Sequence, residues 1–292
     1  MKMKIKTFIA LLSAILILFG AQFSGFSQEA DTITSCRPGF YAGFSLGAAQ
    51  SHLVNDGISA VSNQISNPMN ALSGSAEFGY YFSKYFGLST GIGLSSCNSE
   101  VTLNTYQSNF NAVDSESEAY QRQVTGTGIR EQEKITFLTV PVCLNFRIPL
   151  NKTVGLFMQT GVAIAVPLVK NYISSGIFSY KGYYPAYNVL LENLPAYGFP
   201  ANVNSVTKGR LELKPVNVNA VVNAGFDFFV QKKIQFALAV SYNQSLSTIS
   251  AYTSPDKFQL SSDAGQINSL IGASTKSTAQ SIGMNLTLRY FF

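Results

Sequence analysis

His52 is the only imidazole in the 292-residue chain, and Ser51, Asn55 and Asp56 are its sequence neighbours. A hydrolytic triad needs a nucleophile within hydrogen-bond reach of a base, and an acid that orients the base. Sequence adjacency supplies none of that geometry, so His52 reads as an exposed loop residue and no catalytic group is assigned. Cys36, Cys97 and Cys143 make an odd set without the paired spacing of a zinc site. Buried or free thiols account for them. The short segments GTG and GIG are not followed by a crossover helix, so they are not nucleotide loops, and no metal or cofactor is implied. Four charges remain: Glu77, Arg147, Asp227 and Arg289, each within a run whose alternate residues are otherwise small or polar. Charges in an enclosed site are costly unless they neutralise one another, so these four predict a buried ionic network. Asn145, Asn223 and Asn285 could complete its hydrogen bonds. Such a network would plug a narrow lumen; the alternative is a path for protons or ions.

The elements that must position these charges are extended. From Ile282 to Phe292 every second residue is apolar (Ile282, Met284, Leu286, Leu288, Tyr290, Phe292), while the intervening ones are mostly small or polar. In a strand this puts all the apolar groups on one face. The same alternation recurs over 40–47, 72–82, 86–94, 138–148, 154–164, 216–228 and 234–243, which makes eight runs, an even number. Short links fall at 83–85, 149–152 and 231–233, and long ones at about 50–70, 100–133, 170–212 and 250–277. Short turns at one end and long loops at the other describe an all-β, eight-stranded, antiparallel up-and-down transmembrane barrel.

Composition decides which face is outside. Charged residues make up 12% of the chain and aromatics 13%, with no tryptophan, against about 25% charged in an ordinary soluble domain. Turning the apolar faces inward would leave an exterior of Gly, Ser, Ala and Asn, a poor soluble surface. Small residues suit instead the lumen of an eight-stranded barrel, which side chains just fill.

The N-terminus bears Lys2, Lys4 and Lys6 before an apolar run from Phe8 to Phe19. That run is shorter than the roughly 17–25 residues of a spanning helix and reads as a secretory signal. Residues 1–27 are therefore expected to be cleaved, 28–38 to form a periplasmic segment and 39–292 the barrel. Without the signal lysines, 17 basic side chains face 15 acidic ones, so the charge gives no reason to expect nucleic acid as a partner.

The stretch ITFLTVPVCLNFRI (135–148), the glycine-rich 39–47 and 87–93, and the ending LTLRYFF together resemble the PorT-like outer-membrane β-barrel family. The resemblance implies an OmpA/OmpX-type barrel in the bacterial outer membrane, termini in the periplasm, and no enzymatic activity as a rule. It also implies, in one branch, an accessory role in protein secretion. Leu288, Tyr290 and Phe292 resemble the C-terminal signal read by the barrel assembly machinery; a terminal aromatic packing against outer-membrane lipid is the plainer account. The third long loop carries Tyr180, Tyr183, Tyr184, Tyr187 and Tyr197 among several prolines. It is expected either to present a contact surface to an extracellular or periplasmic protein, or to fold over the barrel mouth, or to lay its aromatics at the lipid interface. The functional expectation is a structural or surface-binding barrel. A narrow passive pore, a secretion accessory and, remotely, a lipid-modifying enzyme are the alternatives.

Overall fold

The computed structural model describes residues 38–56, 64–252 and 259–292; the expected signal segment 1–27 and Cys36 lie outside the described residues. The strands are β1 (Gly39–Asp56), β2 (Gln64–Tyr81), β3 (Phe86–Val113), β4 (Ala119–Pro149), β5 (Val154–Tyr184), β6 (Val189–Glu192), β7 (Val203–Arg210), β8 (Asn217–Gln231), β9 (Ile234–Ser245) and β10 (Lys276–Phe291). Eight of them close a ring in the order β1-β2-β3-β4-β5-β8-β9-β10, every neighbour antiparallel, and β10 returns to β1 from Tyr41↔Phe291 to Asp56↔Lys276. Closure leaves no edge in the ring. The short strands β6 and β7 add to the far end of β5.

The turns at one end are short because side chains cap them. Ser83 Oγ accepts from the amides of Tyr85 and Phe86, and Asn151 Oδ1 from those of Thr153 and Val154. Around the wall, the apolar side of every alternating run faces out: Leu72 is 71% exposed and Phe44 53%, and Leu144 and Leu286 are likewise uncovered. On β4 this apolar belt covers 138–148, close to the roughly 9–11 residues with which a tilted strand crosses a bilayer core.

The sequence expectation fails at the other end. Most of the expected loops 50–70, 100–133 and 170–212 is strand: 50–56 and 64–70 belong to β1 and β2, and β3, β4 and β5 run on for 28, 31 and 31 residues, rising far past the belt as one paired sheet. Past the belt the alternation changes phase. On β4, Ile129, Ile135 and Phe137 are buried, and the residues between them, Arg130, Gln132 and Lys134, point outward. Here the apolar face lies inside and the polar face outside, as water requires. The mouth is accordingly filled by a core in which Leu260, Ile267 and Leu270, from the last long connection, pack on Val101, Leu103, Ile129 and Phe178.

Candidate functional site

The interior divides into a charged floor, a polar chamber and a capped mouth. At the floor the four sequence-selected charges resolve into two ion pairs. Arg147 binds Asp227 through Nε (2.7 and 2.9 Å) and Nη2 (2.7 Å), with both side chains fully buried. Arg289 Nε donates to Glu77 Oε1 at 2.5 Å. Both pairs reach across an intervening strand, and a glycine makes the crossing possible. Gly155 on β5 lies beside Asp227 in register, and a Cβ there would stand 2.6 Å from Arg147 Nη2. Gly43 on β1 lies between Arg289 and Glu77 in register, and its Cβ would stand 3.0 Å from Glu77 Oε1. Aromatic rings seal the guanidinium groups: Arg147 lies over Phe229 at 5.2 Å, and Arg289 over Tyr41 and Phe157 at 5.3 and 5.2 Å. Each is a cation–π contact. Below them Tyr41, Tyr81, Phe229 and Phe291 close the short-turn end.

The three asparagines connect to the charges through Gln159. Asn145 donates to Tyr41 Oη and accepts from Ser89, Asn223 donates to Gln159, and Asn285 donates to Asn223. Gln159, which also donates to Glu77 and Ser89, holds this chain together and was not singled out from sequence. Above it lies a polar chamber of about 150 Å3, lined among others by Ser45, Ser75, Thr139, Asn219 and Asn243. At a share of about 30 Å3 per water, it has room for a few solvent molecules.

The cap is anchored by inward side chains of the long strands. Tyr106 Oη accepts from the Leu260 amide, Tyr172 Oη donates to the Ile267 carbonyl, and Tyr180 Oη meets Ser261 Oγ at 2.6 Å. Glu131 accepts from Ser269 Oγ (2.6 Å) and the Leu270 amide (3.0 Å). Glu131 and its neighbour Glu133 are both buried on β4 beyond the belt, and neither was selected from sequence. Burial pushes the Glu131 carboxyl up to about 7 against the pull of its donors. Burial first, and the charge of Glu131 second, hold Glu133 well above the usual carboxylate range.

The tyrosines of the third connection split in role. Tyr180 is 1% exposed and belongs to the cap, which corrects the expectation that it faces a partner. Tyr184 Oη donates to Asp114 and Tyr187 Oη to Glu118, tying the β5–β6 tip to the β3–β4 turn. Tyr183 Oη donates to Asn188. Only Tyr187 and Tyr197, 61% and 73% exposed, present their rings to solvent beside Leu190 and Leu194. His52 and Ser51 point to opposite faces of β1, as consecutive strand residues must, so they form no nucleophile–base pair. Burial keeps the His52 imidazole below its ordinary value. Cys97 and Cys143 are buried free thiols. Cys97 lies opposite Ile135 and so eight residues from Cys143 along β4, about 26 Å at the strand rise, too far for a disulfide. Leu288, Tyr290 and Phe292 all lie on the outer face.

A closed antiparallel ring with an outward apolar belt and a polar interior is the architecture of a transmembrane β-barrel. Residues 26–251 match the family model described as outer membrane protein beta-barrel domain, and the chain belongs to that family. This places it in the outer membrane of Gram-negative bacteria. None of the curated proteins matches it. Among solved structures, it is similar to OprG from Pseudomonas aeruginosa at 13% identity, covering 90% of this chain and 99% of that one, with a TM-score of 0.38. Neisserial surface protein A shares 8% identity over 87% and 97% of the two chains (TM-score 0.36). Ail of Yersinia pestis shares 13% over 87% and 100% (TM-score 0.31). Likenesses this distant say nothing of function.

Proposed function

We propose that this barrel is a non-enzymatic, non-conducting display scaffold: it holds a rigid β-platform above the membrane, where the tip offers an apolar contact surface to a protein partner. The observation that carries the reading is the continuation of β3, β4 and β5 past the belt as one paired sheet, crowned by the exposed Tyr187, Leu190 and Tyr197. Exposed aromatics on a fixed frame bind at low entropic cost, as binding hot spots do. The two ion pairs at the floor and the apolar mouth support a closed lumen, against the pore alternative. The polar outer face of the β4 extension (Arg130, Gln132, Lys134) supports placing it outside the cell, with the short turns and both termini in the periplasm. The PorT-like resemblance would add a secretion-accessory role; within the stretch 135–148 that carries it, Thr139 and Asn145, on either side of Pro141, donate to the Gly93 carbonyl and to Tyr41, both internal bonds.

Single-channel recording of the refolded barrel in planar bilayers tests the reading. Silence is expected, and steady openings would refute it. An epitope inserted after Asn188 should be reached by antibody on intact cells; reactivity only after the outer membrane is permeabilised would reverse the orientation.

A further inference from the structure

The tall sheet above the belt has two edges, and they are built differently. One is formed by β6 and β7, each paired with β5 alone. That edge is broken into two short strands and carries charge: Lys208 and Arg210 on β7, and Glu192 on β6, ion-paired with Lys181. Short, interrupted, charged strands are how proteins keep an edge from pairing with other chains. The other edge is β3. Its ladder with β2 reaches Gln64↔Leu103, whereas its ladder with β4 continues to Val113↔Ala119. Among the described residues, no strand pairs with the far side of Asn104–Val113. The one hydrogen bond of this stretch outside the β4 ladder, among the described residues, runs from the Leu260 amide to Tyr106 Oη on the inner face. Alternate residues of an antiparallel strand direct both main-chain groups to the same side. Every second residue here therefore aims an amide and a carbonyl at an unpaired edge. The usual guards are missing as well: NTYQSNFNAV holds no charge, no proline and no glycine.

An edge of this kind is satisfied by another extended backbone. We propose that its occupant is β3 of a second copy, joined antiparallel about a two-fold axis at Asn109, so that barrels in two facing membranes share one sheet. A register centred there uses 105–113, the longest symmetric overlap that stays above Leu103, where β2 takes the edge. In that register the strand is complementary to itself. On the inner face, where alternate residues are buried or half-buried, Tyr106 meets Ala112 and Ser108 meets Phe110, large against small both times. On the exposed face Thr105 meets Val113, both β-branched, Gln107 meets Asn111, and Asn109 meets its own copy. Amides carry donors and acceptors alike, so these pairs can bond to one another. No like charges are opposed along the overlap. Two copies in one membrane cannot build this ladder, because their β3 strands leave the belt in the same direction; the self-complementary axis therefore sets them in opposed membranes. With the platform outside the cell, the pairing holds neighbouring cells together. The tip at Tyr187 and Tyr197 belongs to the β6 side of the sheet and stays open to its own partner.

The test uses the mature barrel carrying Cys36→Ser, inserted singly into phosphatidylcholine nanodiscs, which expose both membrane faces and offer no lateral neighbour. Sedimentation of these discs is expected to show pairing that rises with concentration. Asn109→Lys sets two cations against each other at the axis and should weaken pairing at least tenfold. Mixing those discs with Asn109→Glu discs should restore it. Asn109 is exposed, so the urea midpoint of either variant should match that of the unsubstituted barrel. Register is read by mild oxidation, since directly opposed residues lie within disulfide reach. Asn109→Cys discs should cross-link to themselves, and Thr105→Cys discs to Val113→Cys discs but not to each other. Discs that stay single at every concentration would overturn the proposal and leave the edge to an extended segment of a different protein. Pairing indifferent to Asn109→Lys, or cross-links in another register, would overturn it too. Because a disc shows both faces, none of these results depends on which side of the outer membrane the platform occupies; the epitope on intact cells decides that separately.

Discussion

Replacing Gly155 with alanine tests whether the floor of the barrel depends on a missing side chain. The new Cβ would stand 2.6 Å from Arg147 Nη2 and 2.8 Å from Cζ and Nε, whereas non-bonded heavy atoms settle at about 3.5–4.0 Å. The guanidinium would have to retreat by about an ångström, and its 2.7 Å contact with Asp227 would open. Losing one charge-assisted hydrogen bond costs about 1.5–3 kcal/mol, and complete separation of a buried pair about 3–5 kcal/mol. Alanine returns about 0.5–1 kcal/mol because it has less freedom to lose than glycine. The expected net loss is about 1–2 kcal/mol for a partial retreat, with about 4 kcal/mol as the ceiling for rupture. Gly74→Ala is the control, since its Cβ would meet nothing nearer than Leu46 Cδ2 at 3.5 Å. Gly43→Ala, at 3.0–3.1 Å from the other pair, should cost less than Gly155→Ala. Reversible urea unfolding in phosphatidylcholine vesicles, read by heat-modifiable gel migration, measures each loss. The decisive comparison is a cycle with Arg147→Met/Asp227→Leu, in which the Gly155→Ala penalty should fall by at least about 1 kcal/mol. An equal penalty in both backgrounds, or none in the wild type, would refute the crossing argument.

Three further outcomes follow from the geometry. Asp114 caps the β3–β4 turn through the amides of Glu116 and Glu118, and those bonds, that of Glu118 foremost, hold its carboxyl below the ordinary value. A depressed acid supports the fold above its unfolded pKa of about 3.9 and loses that support as pH falls further; amide exchange at Glu118 should therefore speed up below about pH 4 relative to neighbouring strand amides, and Asp114→Asn should abolish the pH dependence. Removing Phe292, 70% exposed on the outer face, should slow assembly in cells while leaving refolding into pure lipid vesicles unchanged; equal slowing in both would make it a packing residue only. Tyr197→Ala, whose ring touches solvent, should shift stability by less than about 0.5 kcal/mol, whereas Tyr180→Phe removes the bond to Ser261 and should loosen the cap by about 1 kcal/mol, read as faster exchange at Ser261 and Leu260.

The belt, the inward charges and the asparagine chain were legible because one rule governs them: side chains alternate and lipid takes the apolar face. The same rule misled past the belt. There the solvent is water, so the apolar face moves inside, and the phase of the pattern shifts between Leu94 and Cys97 on β3 and between Phe137 and Leu138 on β4. Read in a single phase, 100–133 looks like irregular, charged loop. Read in two, Ile129, Glu131, Glu133, Ile135 and Phe137 share a face, and the pair of buried glutamates is visible in the sequence. Tyr180 was misplaced for the same reason, because a tyrosine in an apparent loop looks exposed. The glycines under the ion pairs left no such signal: nothing local distinguishes Gly43 or Gly155 from glycines elsewhere in the barrel, since their role depends on which strands become neighbours.

That role also explains why the plug sits where it does. In the ring β1 and β5 stand opposite, three strands apart by either route, and each carries the glycine over which a salt bridge passes. An eight-stranded lumen is just wide enough for side chains to fill, so an arginine need not span it; it has only to reach the second strand along the wall. Two such clamps on opposite walls leave the centre to shorter amides, and Gln159, Asn223 and Asn285 take it. Each charge is then neutralised locally, without relying on a carrier ion or on a continuous water file. A floor built this way favours closure over conduction.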